Sequence, residues 1–169
     1  YHPSRRAFKC DAKAEMSLIK FKILVVQHPL ERLAHVFKDS LEIENATITF
    51  ETFIDLLIEG KSTATFKITD ERWAPYWFTC RVCETPVKPN IVVKAEYVDY
   101  DLNFLLETIL ESPAKRLKSL NNNATVSSCS RKYFSQIPIM KIQSLFEIYR
   151  ADHELFGYDP RPYLTLGLS

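Results

Sequence analysis

Apolar positions along this chain alternate between short solid runs and longer stripes of helical period. Phe21 to Val26 is a run rich in Val and Ile, which reads as a buried strand. It stops at Gln27-His28-Pro29, and from Pro29 onward Leu30, Leu33, Phe37 and Leu41 recur at helical spacing. A helix is predicted there, with proline in its first turn, where a missing N–H costs nothing. Glu31, Arg32, His35, Lys38 and Asp39 make its polar side. A second helix is predicted from Thr49 as N-cap, with Phe50, Phe53, Ile54, Leu57 and Ile58 on one stripe that ends at Gly60.

Between Lys61 and Pro89 the pattern loosens around Trp73, Pro75, Trp77, Cys80, Cys83 and Pro86, so a short helix or an irregular loop is expected. Ile91 to Val98 is β-rich again, and Asp99 or Asp101 is expected to cap a helix on Leu102, Leu105, Leu106, Ile109 and Leu110. Ser112-Pro113 ends it. The asparagine- and serine-rich stretch from Lys115 to Ser130 reads as a solvated loop. A last helix is predicted from Pro138 to Arg150, with Ile139, Ile142, Leu145, Phe146 and Tyr149 inward; Leu155 is also expected in the core.

Two strands, each leading into an amphipathic helix, point to an α/β layer fold, a mainly parallel sheet with flanking helices. A complete sheet of this class usually has four or more strands. The N-terminal part of the domain is therefore expected to lie outside this chain. Residues 1–20 are a poorly defined N-terminal segment, and 1–169 is read as a single, partial domain.

At 169 residues, 46% hydrophobic and 25% charged, the chain is long and apolar enough to bury a sizeable core. A net charge of +1 creates no global field for nucleic acid and leaves room only for a local basic site. Gly60, Gly157 and Gly167 are the only glycines, which excludes a glycine-rich phosphate loop or a dinucleotide fingerprint. Phosphate binding, if present, must use side chains or helix ends. The longest apolar run, Ile23-Leu24-Val25-Val26, is too short to span a bilayer, so neither a membrane anchor nor a signal peptide is read in the chain as given.

A strand that ends in Gln27-His28-Pro29 and enters a helix aims backbone N–H groups and a positive helix end beyond the strand's carboxyl edge. From spacing alone this is equally an ordinary strand-to-helix turn. Val26-Gln27-His28-Pro29-Leu30-Glu31-Arg32-Leu33, continued to Asp39, resembles the 3′-phosphate-binding segment of the Golgi carbohydrate sulfotransferases of the chondroitin, dermatan and HNK-1 type. Arg72-Trp73-Ala74-Pro75-Tyr76 with Cys80-Arg81-Val82-Cys83 resembles that family's His-Trp segment and paired cysteines. Asn90-Ile91-Val92-Val93-Lys94-Ala95-Glu96 is similar to its strand with a Lys-x-Glu ending. Tyr133-Phe134-Ser135-Gln136 and Asp152-His153-Glu154-Leu155-Phe156-Gly157-Tyr158 resemble its C-terminal signature.

The resemblance implies a sulfotransferase-like nucleotide-binding fold. The implied reaction moves a sulfuryl group from 3′-phosphoadenylyl sulfate to a sugar hydroxyl of a glycan, with a glycosaminoglycan among the acceptors and no metal. It also implies a Golgi membrane protein facing the lumen, held by an anchor absent from this chain. Gln27 and His35 stand where the family holds the 3′-phosphate with Arg and Ser, so a fixed bidentate cation is lost and donor affinity is expected to suffer. The loop for the donor's 5′ side lies upstream in the family and has no counterpart here. Arg72 replaces the histidine before Trp, and an arginine accepts no proton. No catalytic residue is assigned.

Arg131 and Lys132 can reach a phosphate from the C-terminal loop, or serve only solubility. Lys94 and Glu96 match the strand ending, yet alternating charge also reads as a solvated face. Those losses also support an alternative: a catalytically silent domain that binds a glycan or a protein partner. Cys80-x-x-Cys83 is half of a zinc site without its second half. In the lumenal compartment that the resemblance implies, Cys10, Cys80, Cys83 and Cys129 are expected in disulfides; the residues alone also allow four thiols in a cytosolic protein. Asn45-Ala46-Thr47 and Asn123-Ala124-Thr125 are acceptor sites for N-glycosylation.

Overall fold

Residues 22–42, 48–61, 70–82, 88–108 and 126–168 are described by a computed structural model. The first strand, β1 (Ile23–Val26), leads through Gln27 and His28 into α1 (Pro29–Val36), which loosens into a π-helical turn over Phe37–Glu42. Then come α2 (Phe50–Glu59), the single-turn α3 (Tyr76–Thr79), β2 (Ile91–Lys94) and a 3₁₀ turn (Ala95–Tyr97) that opens α4 (Val98–Thr108). The C-terminal part carries four helices, α5 (Ser128–Phe134), α6 (Ile139–Ile148), α7 (Arg150–Phe156) and α8 (Arg161–Leu164), and a parallel bridge between Pro138 and Leu168.

β1 and β2 pair in parallel, Ile23 opposite Ile91 through Val26 opposite Lys94, as the α/β reading with a parallel sheet expects. Asn90 starts the register by accepting the Lys22 N–H on its side chain and donating its own N–H to the Lys22 carbonyl. The second strand is shorter than its β-rich run. It ends at Lys94, and the turn over Ala95–Tyr97 places Asp99 and Asp101 inside the following helix instead of at its cap.

Local capping explains the helix ends. Thr49 Oγ1 accepts the Thr52 N–H at 3.1 Å and Gly60 closes α2 in the left-handed region at φ +65°, both as expected. Ser127 does the same for α5 by accepting the Ser130 N–H, so the predicted loop turns helical from Ser128. The helix predicted to Arg150 is broken at Tyr149, whose φ of −100° and ψ of 14° leave the helical region, and α7 begins at Arg150. The buried stripe nevertheless continues at helical spacing across the break, through Ile142, Leu145, Tyr149, Asp152 and Phe156; Leu155 lies off it and is 51% exposed, where the sequence reading put it in the core.

The main core joins Leu30, Leu33 and Ala34 of α1 to Phe50, Phe53 and Ile54 of α2, Phe134 of α5, and Ile142 and Leu145 of α6. Trp73, Tyr149 and Tyr163 are fully buried among them. Each such large side chain contributes roughly 2 kcal/mol through burial. A smaller cluster of Val26, Val82 and Phe156 seats the end of β1 against the C-terminal helices. The turn between β1 and α1 thus sits where both clusters meet.

Candidate functional site

Gln27 and His35 are eight residues apart in sequence, and α1 brings them together: Gln27 Nε2 donates to His35 Nδ1 at 2.9 Å. Because the amide nitrogen can only donate, Nδ1 accepts and the ring proton sits on Nε2. The pair therefore offers a second Gln27 N–H and the His35 Nε2–H, and it ties the start of α1 to its last turn, where His35 lies. Arg131 and Lys132, expected in a loop, lie instead in the last turn of α5, exposed, on a helix that packs against α1. Lys132 Nζ lies 4.9 Å over the ring of Tyr133.

His28 caps α1 by accepting the Leu30 N–H on Nδ1, and its Nε2 donates to the Asp159 carbonyl at 3.3 Å. Its ring stacks on Tyr163 at 4.5 Å and meets His153 and Tyr158 edge-on. Burial and the neighbouring His153 push its pKa down to about 4, so it is neutral at physiological pH. Burial likewise lowers His153. Backbone strain has no part here; the turn is held by ordinary hydrogen bonds. Gln27 N–H donates to Tyr76 Oη at 3.2 Å, and His28 N–H donates to Glu96 Oε1 at 2.7 Å.

The polar side of α1 is only partly polar in its surroundings. Glu31 is 2% exposed and Arg32 7%, because residues 73–76, Ser127 and Tyr163 close over them. Arg32 Nη2 donates to the Trp73 and Ala74 carbonyls at 3.2 and 2.7 Å, and its guanidinium lies 4.0 Å over the Tyr76 ring. Burial alone would raise the Glu31 pKa, but hydrogen bonds from Ser127 and Tyr163 outweigh it and hold the carboxylate low. Asp152, fully buried, accepts the Tyr76 and Trp77 N–H groups at 2.7 and 3.0 Å and so caps α3. A buried aspartate at 152 and buried charges at 31 and 32 are the functional-segment residues that periodicity missed; their only signal was membership of the quoted sequence blocks.

The blocks around Tyr76, Glu96, His153 and Tyr158 thus converge on the β1–α1 turn, while Tyr133 and Phe134 pack in the main core against Phe37, Phe50 and Tyr163. The Sulfotransferase family model matches residues 5–159. The chain belongs to the sulfotransferase family. Among curated relatives, it is 26% identical to carbohydrate sulfotransferase 12 of Mus musculus over 83% of this chain and 40% of that protein. Carbohydrate sulfotransferase 12 of Xenopus laevis is 25% identical over the same shares, 83% and 40%. Carbohydrate sulfotransferase 11 of Danio rerio is 22% identical over 86% of this chain and 49% of that protein. The chain therefore spans less than half the length of these relatives. No solved structure matches it.

Two features of this sulfotransferase-family chain bear on chemistry. Arg72, at the position of the family's histidine, is gripped by Asp70 through Nε to Oδ1 at 3.0 Å and Nη2 to Oδ2 at 2.8 Å, and lies 4.6 Å over Trp73. It is a structural cation. Lys94 and Glu96, which alternation reads as a solvated face, instead bind the C-terminal segment: Lys94 Nζ donates to the Gly157 carbonyl at 3.1 Å, and Tyr158 Oη donates to Glu96 Oε2 at 3.1 Å.

Cys129 Sγ lies 3.8 Å from the Ala34 carbonyl oxygen, and burial raises its thiol pKa. Cys80 Sγ accepts from the Thr79 hydroxyl at 3.8 Å. Cys10, Cys83, Asn45, Asn123 and residues 1–20 lie outside the described residues. No helix among the described residues is long and apolar enough to cross a membrane.

Proposed function

We propose that this chain is the 3′-phosphate-binding part of a carbohydrate sulfotransferase, which moves a sulfuryl group from 3′-phosphoadenylyl sulfate to a sugar hydroxyl of a glycan. The observation that carries the reading is the Gln27–His35 hydrogen bond, which links the β1–α1 turn to the last turn of α1. It assembles, from positions eight apart, the two side chains that the resemblance assigns to the 3′-phosphate. In this reading the helix end and the two N–H donors receive the phosphate, and Arg131 and Lys132 add positive potential from α5. Gln27 is neutral where the family uses a guanidinium, so donor binding is weak. The acceptor is a glycan, with a glycosaminoglycan as the first class to test. The setting is the Golgi lumen, with a disulfide drawn from Cys10, Cys80 and Cys83 and sugars at Asn45 and Asn123; Cys129, expected in a disulfide, is a free thiol facing the Ala34 carbonyl.

A second reading is a catalytically silent domain that keeps the scaffold and binds a glycan or protein partner. The Asp70–Arg72 fork favours it, since a guanidinium locked to a carboxylate supplies no proton acceptor. The deciding experiment measures sulfate incorporation into chondroitin-like acceptors by the protein with its full upstream sequence, before and after Gln27→Arg with His35→Ser. Activity before the change supports the enzyme. None after it supports the silent domain.

A further inference from the structure

Gln27 is fixed from both sides by groups distant in sequence. Its own N–H is held by Tyr76 Oη at 3.2 Å, and the next peptide N–H, that of His28, is held by Glu96 Oε1 at 2.7 Å. These two bonds set the peptide planes that flank Gln27 and so the direction in which its side chain leaves the backbone toward His35. Glu96 is itself anchored. Its Oε2 accepts from Tyr158 Oη, and the Tyr158 ring lies 4.5 Å under the ammonium of Lys94, which also donates to the Gly157 carbonyl. Gly157 makes this approach with φ +61°, a left-handed conformation suited to glycine.

From this geometry we propose that Glu96 is a positioning residue for the 3′-phosphate contact: its carboxylate orients the Gln27–His28 peptide and, through it, the Gln27–His35 donor pair. The inference rests on the function proposed above. Electrostatics alone argues the opposite effect, because a carboxylate close to a bound phosphate repels it. Removing the charge would then tighten binding, whereas removing a positioning group weakens it. The two accounts differ in sign.

The test is an NMR shift titration of the full chain with adenosine 3′,5′-bisphosphate, well below the melting temperature of each variant. Glu96→Ala is expected to weaken binding about tenfold, in line with loss of one charge-assisted hydrogen bond. Glu96→Gln, which keeps an oxygen for the His28 N–H while losing the charge, is expected to return affinity to within about threefold of the unaltered chain. Equal or tighter binding by Glu96→Ala would overturn the proposal. If that variant fails to fold, Tyr158→Phe removes only the second bond to the carboxylate; weaker binding supports the proposal, and unchanged binding overturns it. Absence of saturable shifts in the unaltered chain would contradict the proposed function instead. Glu96 is then judged on ligand-free spectra, where Glu96→Ala must move the Gln27 side-chain amide and the His35 ring signals. Unmoved signals would overturn the positioning role.

Discussion

Acid should loosen this fold through His28 before it reaches the carboxylates. The side chain is 6% exposed and its pKa is pushed down to about 4, so the folded chain holds it neutral while the unfolded chain titrates near 6.5. A depressed histidine contributes stability that is complete above the unfolded value and is lost as pH falls toward the folded one. Between pH 7 and pH 5 the linkage relation with those two values gives a loss of about 2 kcal/mol from His28 alone. His153, also lowered, acts in the same direction. Glu31, held low by its hydrogen bonds, loses its contribution only below the ordinary carboxylate range, and Asp152, raised by burial, works in the opposite sense there. Comparison with a variant that lacks the His28 ring therefore separates its share from that of the other groups in the interval from pH 7 to pH 5.

The perturbation is His28→Asn, which keeps an N-cap oxygen for the Leu30 N–H and cannot titrate. At pH 7 it should cost about 1 to 3 kcal/mol through lost ring contacts with Tyr163, His153 and Tyr158. Urea unfolding at stepped pH is the assay. The midpoint of the unaltered chain should fall by about 1 M more than that of the variant between pH 7 and pH 5, for a denaturant slope of about 2 kcal/mol/M. Parallel pH profiles for the two proteins would refute the reasoning, since His28 would then not be a buried neutral group.

Gly167→Ala should lower stability by about 2 kcal/mol, because its Cβ would lie 2.9 Å from Ile142 Cδ1 and 3.0 Å from the Ile139 Cα. Gly60→Ala, with open space but φ +65°, should cost only about 1 kcal/mol; calorimetric melting of both reads the contrast. Asp152→Ala strips the cap from α3 and leaves the Tyr76 and Trp77 N–H groups unmatched. A loss of about 2 to 3 kcal/mol is expected, read as a drop of roughly 5 to 10 °C in Tm.

Local patterns located the parts of this fold that local forces make. Val and Ile density marked β1, Pro29 opened α1, and Thr49 and Gly60 bounded α2, each within its own few residues. Tertiary contacts decided the rest. Periodicity assigns Glu31 and Arg32 to a polar side, and nothing nearby in sequence reveals that Trp73, Ala74, Ser127 and Tyr163 supply their partners. The β-rich run through Val98 stops at Lys94 because Glu96 turns to meet His28 and Tyr158, a contact 68 and 62 residues away in sequence. The Gln27–His35 pair was readable for a different reason: an eight-residue spacing across a strand-to-helix turn matched a known sequence block. What spacing did not show is the scaffold around that pair, which is built from blocks up to 131 residues apart.

The central claim, that Gln27 and His35 form a weakened 3′-phosphate site, is tested most directly by titrating adenosine 3′,5′-bisphosphate into the full chain and into Gln27→Arg with His35→Ser. The account predicts binding weaker than micromolar for the unaltered chain and at least about a tenfold gain in the double variant, one added charge-assisted contact. Micromolar binding by the unaltered chain, or no gain on restoring the cation, would contradict it.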